Sequence, residues 1–211
     1  MVSINPPEFT LAENAGNRLT LRSPAGHVAH VFVLEQDIIR VMVLPEGALR
    51  SRRSWAVAPG QEDVLSEGRD KFDLSGFSCP AFSLEDTPEG LAVTTGRLRL
   101  SIRLRGFYST WETRVGGTWR GAAADRATQN YNWGFWDSRA YHYLARHADE
   151  KYFGLGERAG DANRAEQSYR MTNVDAMGYN ARTTDPLYKH IPFYITWRSG
   201  TQTPYLLNPA E

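Results

Sequence analysis

The chain has 211 residues, of which 41% are hydrophobic and 23% are charged, as is usual for an ordinary globular protein. Lysine plus arginine equals aspartate plus glutamate at 24 each, so net charge attracts neither nucleic acid nor an acidic membrane. The single cysteine, Cys79, excludes an intrachain disulfide framework and a thiolate metal cluster. A nucleic-acid partner and a disulfide-stabilised scaffold are therefore not expected.

The N-terminal residues Met1–Pro7 lack a charged stretch followed by an apolar one, and the longest apolar runs have the length of a strand. Neither a signal peptide nor a membrane span is predicted. Together with the lone cysteine, this favours a cytoplasmic protein with no membrane partner.

The first predicted elements are two β-branched runs, Val28–Leu34 and Ile38–Leu44, which three polar residues join. This arrangement predicts a β-hairpin. Short turn signals predict further chain reversals at Thr87–Gly90, at Gly96 and at Gly116-Gly117.

The segment Arg97–Arg105 alternates strictly, with Leu98, Leu100, Ile102 and Leu104 at every second position. A period of two predicts a half-buried strand. Its four arginines are interpreted as a solvated face, because the surrounding sequence is not basic enough for a nucleic-acid site.

No stretch of about twelve residues keeps a helical apolar stripe free of glycine or proline. Strand-like runs separated by turn signals predict an all-β sandwich in a single domain, residues 1–211. The late run His190–Trp197 contains Pro192, which predicts an edge strand or a bulge.

Gly154–Ala159 has the spacing of a dinucleotide-binding fingerprint, which requires a buried strand before it and a helix after it. Polar residues precede the motif, and Gly160–Asn163 is a poor helix start, so nucleotide binding is not expected. The five histidines show no metal-ligand spacing, and no Gly-x-Ser-x-Gly elbow is present. No metal and no cofactor are predicted.

Two kinds of side chain leave alternatives open. The aromatic cluster Tyr131, Trp133, Phe135 and Trp136 could supply core volume or a platform for sugar rings. The carboxylates of the last third could cap turns or act on a glycoside, and sequence does not give the separation that glycosidases require. These carboxylates are Glu157, Asp161, Asp175 and Asp185.

Three segments, in this order and spacing, resemble the signature run of family 31 glycoside hydrolases. They are Tyr152–Arg158 (YFGLGER), Met171–Tyr179 (MTNVDAMGY) and Thr184–Ile195 (TDPLYKHIPFYI). In that family the run closes an N-terminal domain with a galactose-mutarotase-like β-sandwich (supersandwich) fold. The resemblance implies this fold here.

The resemblance also implies a parent enzyme that is a retaining α-glycosidase, α-glucosidase-like, with its catalytic aspartates on a (β/α)₈ barrel after this domain. The chain ends at Glu211, about where the family would enter that barrel. No catalytic residue is therefore expected within residues 1–211, and the expected partners are the barrel and an α-glucoside or related sugar.

One substrate-contacting residue transfers with the resemblance. The family sends a loop of this domain over the barrel mouth, where an aspartate contacts sugar hydroxyls, and Asp175 matches that position. Gly154 and Gly156 are expected to serve backbone geometry instead. The alternatives are an autonomous aldose epimerase, and a carbohydrate-binding module that uses Trp133 and Trp136.

Overall fold

A computed structural model describes residues 6–128, 130–133, 140–198 and 201–206. These residues form sixteen β-strands and no helix, which confirms the all-β prediction. The first eight strands are β1 (Thr10–Ala15), β2 (Arg18–Arg22), β3 (Val28–Glu35), β4 (Ile38–Leu44), β5 (Arg53–Ser54), β6 (Arg69–Asp70), β7 (Ser83–Thr87) and β8 (Gly90–Thr94). The others are β9 (Leu98–Arg103), β10 (Tyr108–Val115), β11 (Thr118–Ala124), β12 (Tyr131–Trp133), β13 (Ala140–His142), β14 (Lys151–Gly154), β15 (Phe193–Arg198) and β16 (Thr201–Leu206).

The chain divides into two compact units that meet in sequence between Ala145 and Arg146. Unit 1 contains β1 to β13, and unit 2 contains β14 to β16. Within the described part of the chain, no helix is long and apolar enough to cross a membrane.

Unit 1 is built on two antiparallel sheets, one in the order β1-β2-β3-β4 and the other in the order β11-β10-β9-β8-β7. Alternate residues of β2, β3, β8 and β9 point between the sheets and form one apolar core. Phe9 and Phe107 close this core, with ring centroids 5.3 Å apart. The period-two patterning therefore produces the predicted sandwich.

The predicted hairpins are present at the predicted places. Strands β3 and β4 pair antiparallel from Val28 opposite Leu44 to Glu35 opposite Ile38. The tight link between β10 and β11 is Gly116-Gly117, whose φ angles of +57° and +82° suit a two-residue hairpin turn that favours glycine.

The arginine-rich strand is β9, with Leu100 and Ile102 buried in the core as predicted. Its arginine side chains form contacts with neighbouring side chains. Arg99 lies 4.5 Å from the Trp119 ring centroid and forms an ion pair with Glu112. Contacts of this kind support the interpretation of a solvated face over a nucleic-acid stripe.

Strand β3 is buried on both faces because a loop covers the face that points away from the core. Phe72, from this loop, packs edge-on against His30 and Phe32, with ring centroids 5.0 and 5.7 Å away. Burial and nearby Arg18 lower the pKa of His30 to about 4, so this imidazole is neutral at neutral pH. The loop carries β5 and β6, which pair antiparallel and close a turn-rich segment between them.

Unit 2 is a three-stranded antiparallel sheet in the order β14-β15-β16. Among these strands β15 is central, and its pairings with β14 and β16 show no register shift. Both positions predicted from Pro192, an edge strand and a bulge, are therefore wrong. Proline lies just before the first residue of β15, where its missing N–H is not needed by either neighbouring strand.

Candidate functional site

The Asp175 loop, residues 171–191, lies in the long connection between β14 and β15. Backbone hydrogen bonds close this connection at its base. Leu155 N donates to Phe193 O at 2.8 Å, and Glu157 N donates to Lys189 O at 3.0 Å. The two arms of the connection therefore start from the sheet of unit 2 as a paired stem.

Glycines permit the close approach in this stem. Gly154 and Gly156 have φ angles of +120° and +75°. A Cβ at Gly156 would lie 2.7 Å from the backbone N of Ile191. The prediction that these glycines serve backbone geometry is confirmed. No helix follows them in the described residues, in agreement with the poor helix start at Gly160–Asn163.

We expect Gly156→Ala to lower the free energy of unfolding by about 2–3 kcal/mol, because strain at positive φ is added to a backbone clash. Gly178→Ala is the matched control: its φ is +69° but a Cβ there would meet nothing within 4 Å. It should cost only about 1 kcal/mol. Urea unfolding measures both values, and equal losses would contradict the close-packed stem.

A side-chain clamp holds the loop on one side of Asp175. Asn173 Oδ1 accepts hydrogen bonds from the backbone N and from Nδ1 of His190, both at 2.9 Å. Since the same oxygen accepts the backbone N–H, Nδ1 of His190 carries the proton in this contact. Asn173 and His190 are 17 residues apart, so the clamp joins the two arms of the loop.

A second contact holds the other side. The Tyr188 hydroxyl donates to Ala176 O at 3.2 Å. The Tyr188 ring packs edge-on against Tyr179, with centroids 6.0 Å apart. Asp175 therefore lies between two positions, 173 and 176, that are each fixed by the opposite arm of the loop.

The carboxylate of Asp175 is exposed and forms no hydrogen bond or ion pair with any described residue. An aspartate that caps a turn accepts backbone N–H groups, as Asp70 does from Phe72 N at 2.8 Å. Both oxygens of Asp175 are available to an external donor. The sequence points to this residue only through the family resemblance. It does not predict the contacts that hold the loop.

Asp185 has a different role from Asp175, although both were candidates. Its Oδ1 accepts from Arg158 Nη1 at 3.0 Å and its Oδ2 accepts from Arg170 N at 2.7 Å. The Arg158 side chain is 0% exposed. Asp185 therefore compensates a buried charge and braces the base of the loop, and both of its oxygens are occupied. Glu157 and Asp161 are exposed.

Unit 1 contains a titratable cluster that the sequence did not predict. Asp125 is 0% exposed and accepts from Ser109 N and Ser109 Oγ at 2.8 and 2.9 Å. Its other oxygen lies 2.8 Å from His142 Nε2, and the Tyr131 ring stacks on His142 at 4.0 Å. An epimerase needs two groups facing one sugar, and Asp125 is too deeply buried to be one of them.

The aromatic cluster is only partly described. Tyr131 packs at the edge of the sandwich core, and Trp133 packs edge-on against His27 at 4.9 Å. Phe135 and Trp136 lie outside the described residues. Of the two alternatives for this cluster, the contacts of Tyr131 and Trp133 support core packing.

Two tyrosines of unit 2, Tyr152 and Tyr194, keep their hydroxyl protons at neutral pH. Burial and Glu150 raise the pKa of Tyr194 to about 12, and they also raise the pKa of Tyr152. Within the described ranges, no group of three or more His, Cys, Asp or Glu side chains could hold a metal ion.

The sequence matches the model of a known family over most of its length. The family model of the glycosyl hydrolase 31 N-terminal galactose mutarotase-like domain matches residues 28–211. The chain belongs to this family. The resemblance found in the last third of the sequence is thus confirmed, and the match includes both units of this N-terminal domain.

A curated relative of the N-terminal domain is an α-glucosidase of Saccharolobus solfataricus, 43% identical over 62 residues. These residues are 29% of this chain and 9% of the relative. The match therefore concerns a small part of a much longer enzyme.

Solved structures of the same family share the fold. A Flavobacterium johnsoniae GH31 dextranase, solved in complex with isomaltotriose, has a TM-score of 0.70 and 20% identity over 92% of this chain and 22% of its own. The GH31 α-xylosidase of Xanthomonas citri has a TM-score of 0.54 and 16% identity over 88% of this chain and 18% of its own. The chain spans about a fifth of these enzymes, and at such identities the likeness shows the fold.

Proposed function

We propose that this chain is the non-catalytic N-terminal domain of a retaining α-glycosidase, α-glucosidase-like. It packs on the catalytic (β/α)₈ barrel and lends the Asp175 loop to the rim of the active site. The ligand is an α-glucoside or a related sugar, in keeping with the α-glucosidase relative and with the isomaltotriose in the dextranase structure.

The observation that carries the proposal is the unoccupied carboxylate of Asp175 between two anchored neighbours. A sugar ring presents adjacent hydroxyl groups, and a carboxylate can accept two of them with charge assistance. Because positions 173 and 176 are already held, little conformational entropy is lost when a ligand binds.

Exposed apolar side chains in unit 2 support packing against a further domain. On the sheet, Phe153 lies opposite Ile195, and Trp197 lies opposite Lys151, so all four side chains share one face. In the Asp175 loop, Met177 is 84% exposed. A surface of this kind is typical of an interface with another protein surface, and the family's barrel is the occupant that we propose.

We expect the 211-residue chain on its own not to hydrolyse 4-nitrophenyl α-glucoside. The positioned acid and nucleophile supply most of a glycosidase's acceleration, and in this family they belong to the barrel. A longer protein, in which the barrel follows this chain, should hydrolyse the same substrate. Turnover by the purified chain above a mock-purified control would contradict the proposal.

A further inference from the structure

A second surface feature lies in unit 1, in the segment between β5 and β6. Trp55 is 71% exposed and Leu65 is 68% exposed. Exposing two large apolar side chains on one loop to water costs free energy unless a ligand or another surface covers them. The loop is held in a defined shape, because Arg53 pairs with Asp70 and Ser54 pairs with Arg69 at its base.

The indole of Trp55 has a defined orientation despite its exposure. Its Nε1–H donates to Ser66 O at 2.9 Å. Gly68 N donates to Leu65 O at 2.7 Å, which turns the chain at Ser66 back toward β6. With the indole edge fixed in this way, the ring face stays open to solvent.

A groove of about 450 Å³, a volume in the usual range for small-molecule sites, lies next to the backbone that holds this ring, and Trp55 itself stands outside its lining. Leu65 and Gly68 line the groove on either side of the Ser66 carbonyl that holds Trp55. Arg53, two residues before Trp55, lines it as well.

Some polar groups of the groove are engaged within the wall, and others are available. Arg69 donates to Gln61 Oε1 and to Asp73 O, and it forms a fixed part of the wall. Asp63 uses Oδ1 to accept from Val64 N, and its Oδ2 accepts from no described residue. Arg53 uses Nη1 on Gly68 O, and its Nη2 donates to no described residue.

The charges that line the groove balance. Two arginines and three aspartates line it, and one of the aspartates, Asp70, is paired with Arg52 outside the lining at 2.6 Å. With that pair included, three positive charges face three negative ones. A ligand with net charge would gain little here, whereas a neutral ligand rich in hydroxyl groups can use the free acceptor, the free donor and the ring face.

We propose that Trp55, Arg53 and Asp63 form a binding site for a neutral glucose oligosaccharide. One pyranose ring of the oligosaccharide stacks its apolar C–H face on the indole beside the groove. A neighbouring ring lies in the groove, where Asp63 accepts hydroxyl hydrogens and Arg53 donates to a ring or hydroxyl oxygen. The choice of α-linked glucose as the sugar rests on the proposed function, while the site itself rests on the groove and on Trp55.

Isothermal titration calorimetry of the 211-residue chain with isomaltotriose and with maltotriose tests the site. We expect saturable binding of at least one of them, with a Kd on the order of 1 mM. Trp55→Ala should weaken binding at least about tenfold, and Trp55→Phe, which keeps a ring, by less. Asp63→Asn should weaken it severalfold at an unchanged melting temperature. Trp197→Ala, which removes another exposed tryptophan, is the matched control and should bind as the wild type does.

Two results would overturn the site: no binding of either trisaccharide up to about 10 mM, or wild-type affinity in both Trp55→Ala and Asp63→Asn. If Trp55→Ala kept its sugar affinity but lost association with a protein domain, the surface would be a protein interface instead. The titration uses the chain alone and measures no hydrolysis. A negative titration would therefore not contradict the proposed function. In the same way, a longer protein without hydrolytic activity would not contradict this binding site.

Discussion

Replacing Asp175 with Ala, in the longer protein that contains the barrel, is expected to lower kcat/KM by about ten- to a hundredfold. A hydrogen bond to a charged group contributes roughly 1.5–3 kcal/mol, and about 1.4 kcal/mol corresponds to a factor of ten in rate. Loss of a nucleophile would be far larger. Steady-state kinetics with 4-nitrophenyl α-glucoside and with maltose measure the effect.

Whether the fall in kcat/KM comes from kcat or from KM shows at which stage of the reaction Asp175 contacts the sugar. If Asp175 holds the sugar equally in the ground and transition states, KM rises and kcat stays constant. If the contact tightens in the transition state, kcat falls. Asp175→Asn keeps an acceptor oxygen without the charge, and we expect an intermediate loss.

The stability of the Asp175→Ala protein should match that of the wild type, because this carboxylate forms no bond with a described residue. Asp161→Ala is the matched control, since it removes another exposed aspartate of unit 2, and its kinetics should not change. Unchanged kinetics in Asp175→Ala would remove the residue from the site. A fall in activity in proportion to a lowered melting temperature would make it a structural residue.

Replacing Asp185 with Ala is expected to lower the stability of the protein strongly, whereas replacing Asp175 is expected to leave it unchanged. Its partner Arg158 has a fully buried side chain, and Nε and Nη2 of that arginine donate to no described residue. Removing one member of a buried pair costs about 3–5 kcal/mol, because the remaining charge stays buried without compensation. For a chain of this length the melting temperature should fall by roughly 6–20 °C.

A double-mutant cycle separates the ion pair from the other contacts of Asp185. Arg158→Met removes the buried charge and fills a similar volume, so Arg158→Met with Asp185→Ala should be less destabilised than Asp185→Ala alone. Thermal melts followed by circular dichroism measure all the proteins of the cycle. If Asp185→Ala melts at the same temperature as the wild type, the ion pair between Asp185 and Arg158 does not stabilise the Asp175 loop.

The two aspartates illustrate the limit of sequence reasoning about this site. Both lie in connecting segments without regular secondary structure, and the residues next to them in sequence predict the bonding partner of neither. The partner of Asp185 is 27 residues away at Arg158, and the clamp beside Asp175 joins positions 17 residues apart. Local pattern carries no information about such pairs, because the closed stem of the loop creates them.

Strand prediction succeeded where one face of the strand packs on the core. The alternation in β9 and the two runs of β3 and β4 follow from the pleat, which sends successive side chains to opposite faces. It failed at β1, whose residues Thr10–Ala15 are all exposed and show no alternation. A polar edge strand is defined by its hydrogen bonds to β2, and those depend on the neighbouring strand.

The amino-acid sequence determined the all-β class, the main hairpins and the family, because pleat periodicity, turn chemistry and a motif with fixed spacing are properties of short stretches of chain. The tertiary structure decided which side chains are available to a ligand. Asp175 bonds with no described residue, both oxygens of Asp185 are occupied, and Trp55 is exposed next to the backbone that lines a groove. Those differences arise from contacts between residues far apart in the chain, and only the folded backbone brings such residues together.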